Sequence, residues 1–151
     1  MLSDSLIAKH YISNEERQAI RNVCSCINVI LNDLDFEITS IGNTQERIRE
    51  LRYSDETLND KCRRYFEADI KRAKQNARKH VVQLRRLCVV LRKMIRRKQI
   101  PECKAVYAAT KLFDEKEAYI NSKSFQHATY RNAVWNFRKK SQQLEKYLEG
   151  D

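Results

Sequence analysis

Residues 61–98, KCRRYFEADIKRAKQNARKHVVQLRRLCVVLRKMIRRK, carry fifteen Lys or Arg against two carboxylates, Glu67 and Asp69. The stretch has a local charge of +13 in a chain whose total is +10, so the remaining residues sum to −3. No Gly or Pro interrupts it. Phe66, Ile70, Ala73, Ala77, His80, Leu84, Leu87, Leu91 and Met94 recur in alternating steps of four and three. That spacing predicts one long helix whose apolar seam packs lengthwise on other helices.

The basic residues form columns of their own. Arg64, Lys71, Arg78, Arg85 and Arg92 recur every seven residues, and Arg72, Lys79, Arg86 and Lys93 form a second column beside them. Residues seven apart nearly eclipse on a helix, so these groups make a ridge about 40 Å long at about 1.5 Å rise per residue. Solvated helix faces normally mix signs, and like charges at helical spacing repel by a few tenths of a kcal/mol per pair. The pattern therefore points to an anionic partner, with solubility as the plainer alternative.

The flanking sequence extends the helical pattern in both directions. Towards the N-terminus, Ile20, Ile27, Leu34, Ile41 and Ile48 recur every seven residues. Val23, Ile30, Glu37, Thr44 and Leu51 form a companion column, and Cys24, Leu31 and Ile38 widen the stripe. Ser13 followed three residues later by Glu16 is a capping box. The phase runs through Gly42, which predicts one helix over about 14–52. Ser54 and Asp55 cap the next, over about 55–98.

Pro101 suits the first turn of a third helix over about 101–148, which Gly150 would end. Its core column is Val106, Phe113, Ile120, His127, Val134, Ser141 and Leu148. Trp135, Phe137 and Tyr147 are expected to pack the end near the first turn. Residues 1–12, with Leu2, Leu6, Ile7, Tyr11 and Ile12, read as a short segment lying on the bundle or ordering on a partner.

Short links at 52–54 and 99–101 force neighbouring helices to run antiparallel. The expected fold is all-α: one domain over 1–151, an elongated antiparallel up-down-up three-helix bundle with coiled-coil-like packing. Two Gly and one Pro in 151 residues argue against a turn-rich β protein. Five Cys, an odd number, and no secretory or membrane-spanning stretch point to an intracellular protein, cytoplasmic or nuclear, with reduced thiols.

The register of such a bundle brings Glu37, Asp69 and Arg131 to one level, where a structural polar layer is expected. Cys24, Cys26 and His80 also share a level, but Cys-x-Cys on a helix points its side chains about 200° apart and His127 is distant, so no metal is expected. No phosphate-cradling glycine loop, nucleophile elbow or Cys-x-x-Cys occurs. These absences predict a non-enzymatic protein without cofactors.

Near its end the second helix is apolar almost all round, through Val81, Val82, Leu84, Leu87, Cys88, Val89, Val90 and Leu91. A helix packed on one side does not need this. Either the third helix and the N-terminal segment wrap it, or another chain covers it, which makes Val82, Val89 and Val90 candidate contacts for a protein partner or a homodimer. The expected function is an interaction or scaffold module, a subunit or domain of a larger assembly, whose basic ridge meets an anion. Sequence-tolerant nucleic-acid binding is the alternative. An anionic lipid surface or an acidic protein tail would use the same charges.

Overall fold

The computed structural model describes residues 12–52, 55–116 and 127–149. Four helices and no strand occur among them: α1 (Asn14–Arg49), α2 (Glu56–Ile95), α3 (Pro101–Lys116) and α4 (His127–Glu149). The first two starts follow the capping chemistry of the sequence. Ser13 Oγ accepts from the Glu16 amide at 3.1 Å. The Asp55 carboxylate accepts from the amides of Thr57 at 2.8 Å and Leu58 at 3.4 Å. Helix α1 passes through Gly42 without a break. No helix of the described residues is long and apolar enough to cross a membrane.

The expected third helix is the main correction. It is two helices, α3 and α4, and the contacts of α4 with α1 show that α4 runs opposite to the expected direction. Arg17 Nη1 donates to the Leu148 carbonyl at 3.1 Å, Asn28 Nδ2 to Ser141 Oγ at 3.3 Å, and Arg138 Nη2 to Asn32 Oδ1. Ascending α1 therefore means descending α4, the opposite of an up-down-up bundle.

The helices neighbour one another in a ring: α1 with α2, α2 with α3, α3 with α4, and α4 with α1. Phe113 and Phe137 meet edge to face across α3 and α4, with ring centroids 5.8 Å apart.

The heptad phase concealed this reversal. Phe113 and Val134 lie three heptads apart, and both are buried, as are Val106, Ser141 and Leu148. A whole number of heptads keeps the apolar face in phase whether or not the chain turns back. The cue lies at residues 121–124, Asn-Ser-Lys-Ser, a polar cluster of the kind that ends helices. Ile120, the side chain of His127 and residues 1–11 lie outside what is described.

The seams are also rotated by a fraction of a turn. On α1 the buried line is Ile20, Cys24, Ile27, Leu31, Leu34, Ile38 and Ile41, while Val23, Ile30 and Glu37 are half-buried. On α2 it is Ala73, Ala77, Val81, Leu84, Cys88, Leu91 and Ile95, so His80, Leu87 and Met94 are half-buried rather than central. Trp135 is exposed on α4, with Lys139 Nζ 5.2 Å from its ring centroid. Tyr147 is exposed and stands near the start of α1, so these aromatics do not gather at the first turn.

Candidate anionic and protein interfaces

The two basic columns of α2 meet different fates. Arg64, Lys71, Arg78 and Arg85 of the first are exposed, as are Arg72, Lys79, Arg86 and Lys93 of the second. Arg92 is not part of the open ridge. Its Nη1 lies 2.5 Å from Asp114 Oδ2, and its side chain is only 16% exposed. The hydrogen bond to Asp114 holds the guanidinium pKa above its ordinary value. Arg92 thus ties α2 to α3, because it lies on the flank of α2 nearest the buried line. The second column points further from that line and is exposed along its length.

Asp69 Oδ1 lies 3.8 Å from Arg72 Nη1 on the same helix, an exposed pair worth at most about 1 kcal/mol. Val82, Val89 and Val90 are exposed at 46%, 43% and 46%. The helix is therefore apolar on its outside, and the internal packing of α3 and α4 does not account for these valines.

The expected polar layer separates into three unconnected contacts. Asp69 pairs with Arg72, Glu37 Oε1 accepts from Asn76 Nδ2 at 3.4 Å, and Arg131 Nε lies 3.9 Å from Asp35 Oδ1. The Arg131 distance is an ion pair too long for a hydrogen bond, and that Asp35 oxygen has no hydrogen-bond partner. The level of Arg131 was close, but the reversed α4 presents it to the Asp35 flank of α1. Structural polarity appears instead where α1 meets α4. There fully buried Ser141 accepts from Asn28 and donates to the Arg138 carbonyl at 3.1 Å. The sequence placed Ser141 in the core column without showing that partner.

All five cysteines are free thiols. Cys24, Cys88 and Cys103 are fully buried. Burial, with a smaller push from Glu145, raises the Cys24 thiol to about 12. Burial raises Cys88 to about 12 against the opposing charge of Arg92, and Cys103 to about 11 against Lys98. Such thiols stay neutral and unreactive at ordinary pH. Cys26 is exposed and His80 half-buried, so the Cys24–Cys26–His80 level does not converge. No group of three or more metal-ligating side chains occurs among the described residues.

An open apolar groove of ≈620 Å³ runs between α1 and α2, lined by Ser25, Cys26, Val29 and Ile30 opposite Gln83, Arg86 and Leu87. Sequence reasoning missed it because Leu87 and Ile30 were assigned to the sealed core. The exposed apolar positions Val29 and Phe36, seven apart on α1, were the available signal. No protein-family model, curated protein or solved structure matches this chain.

Proposed function

We propose that this chain is a non-enzymatic interaction module, a subunit or domain of a larger assembly, whose α2 ridge engages an anionic partner. The observation that carries the reading is the open column Arg72, Lys79, Arg86 and Lys93, with exposed Val82, Val89 and Val90 on the same helix. A helix that is both basic and apolar on its outer side suits a protein surface with acidic and apolar groups together.

The test is capture from cell extract on the immobilised chain, with and without nuclease. Capture should survive nuclease, and Lys79→Glu with Lys93→Glu should weaken it at least tenfold. The control pair Lys104→Glu and Lys146→Glu changes the charge equally, from +10 to +6, on α3 and α4. Equal loss from both pairs would reduce the ridge to a contribution of net charge and would overturn the reading.

Sequence-tolerant nucleic-acid binding is the second reading, favoured by the straightness of the column. Residues 72–93 span about 32 Å along one helix. Its signature is loss of capture on nuclease treatment, with affinity falling steeply between 50 and 200 mM salt through counterion release.

A further inference from the structure

The groove between α1 and α2 has walls of unequal charge. Lys79, Arg86 and Lys93 stand at seven-residue spacing along the α2 rim, all exposed, and Arg86 itself lines the groove. On the α1 rim Asn22 and Ser25 are uncharged, and Asp33 is acidic. Between the rims the surface is apolar, with Val29 58% exposed and Leu87 half-buried. Phe36, 72% exposed, continues the Val29 column one heptad on, and Val90 lies one turn from Leu87. From Val90 back to Lys79 is about 17 Å of helix, room for roughly three turns of a partner helix.

We propose that this groove seats an amphipathic helix from a partner protein, apolar on its buried face and lined with Asp or Glu along the edge that meets α2. The inference rests on the basic-ridge reading and gives that ridge its class of partner. Helix-in-groove recognition takes apolar anchors at i, i+3, i+4 and i+7, which the spacing of Cys26, Val29 and Phe36 can meet. A second copy of this +10 chain would set basic surface against basic surface. A nucleic-acid backbone would leave the apolar floor unfilled.

The molecule contains a reporter for occupancy. Cys26 is exposed and lines the groove, while half-buried Cys62 lies outside it, near the start of α2. Cys24, Cys88 and Cys103 are sealed in the core. Alkylation of the full chain at neutral pH, followed by peptide mapping, therefore reads the groove at Cys26 against Cys62 as internal control.

The probes are two synthetic 18-residue helical peptides with the same leucine face, one edged with Glu and the other with Lys. The Glu-edged peptide should slow alkylation of Cys26 at least tenfold without protecting Cys62, and should bind at least tenfold tighter than the Lys-edged one. Val29→Asp should abolish protection, and Lys79→Glu with Lys93→Glu should erase the preference between peptides.

If charge reversal weakens peptide binding while Val29→Asp leaves it intact, the ridge reading stands and the groove proposal falls. If neither peptide protects Cys26, or both do so equally, the acidic-helix occupant is overturned. Protection of Cys26 that rises with protein concentration alone, together with a dimer in sedimentation, would assign the groove to a second copy.

Discussion

Ile27 and Ile48 stand in the same heptad column of α1, yet Ile27 is fully buried and Ile48 only half-buried. Helix α2 shows the same contrast. Every buried residue of α2 lies at or beyond Ala73, whereas Phe66 and Ile70 are half-buried. The molecule thus has a body, where α3 and α4 close a four-helix ring, and an arm, where the end of α1 meets the beginning of α2. Contacts of α4 with α1 run from Arg17 to Asp35 and none of the described polar contacts goes further.

A heptad seam creates the opportunity for burial, but the number of helices around it decides how much is realised. Full burial of a large aliphatic or aromatic side chain is worth about 1.5–3 kcal/mol, and half-burial correspondingly less. The arm is therefore held chiefly by one helix-to-helix contact.

The strongest way to break this contrast is truncation on each side of it. Phe137, fully buried against Phe113, should cost about 3–5 kcal/mol on Phe137→Ala. Phe66→Ala in the arm should cost about 1–2 kcal/mol, clearly less than that figure, since its side chain is already partly in water. Urea unfolding of both variants provides the comparison. Equal losses would mean that the arm is packed as tightly as the body.

Hydrogen exchange sharpens the picture along one helix. Amides of residues 58–70 should exchange about 100-fold faster than those of 81–94, a difference of about 2.7 kcal/mol in opening free energy. Uniform protection along α2 would dissolve the distinction.

The buried thiols give the body a pH dependence. Folded Cys24, Cys88 and Cys103 have pKa values raised above 9.0, so the folded state holds protons that the unfolded chain releases. Their contribution is complete below about pH 9 and is lost as pH rises towards 11–12. Each thiol accounts for about 1.4 kcal/mol per pH unit at most within that window. Cys88→Ala should flatten the decline in stability between pH 8 and 10 by about that amount, as read from urea midpoints.

The smallest effect belongs to Gly42, at the boundary. A Cβ there meets nothing within 4 Å, and the residue is helical. Gly42→Ala should stabilise by about 0.5–1 kcal/mol. A destabilised variant in thermal melts would show that α1 needs to bend at that point.

Much of this molecule follows from local chemistry in the sequence. Ser13 and Asp55 start their helices because their side chains satisfy amides that no turn of helix can reach. The long stripe from Ile20 to Ile41 and the basic columns of α2 follow from the period of the helix alone. It was also legible that Val82, Val89 and Val90 fall outside a single core-facing stripe, though not what covers them.

What the sequence left open was which way the chain turns and which neighbours it meets. Periodicity reports the phase of an apolar face and not the direction of the helix that carries it. Phe113 and Val134, three heptads apart, therefore looked continuous across a reversal. That reversal gives Arg131 to Asp35 and Asn28 to Ser141. The placing of α3 beside α2 takes Arg92 from the ridge to pair with Asp114. It also leaves the groove between α1 and α2 outside the ring. Each outcome depends on a contact between residues distant in sequence, and only tertiary packing decides those.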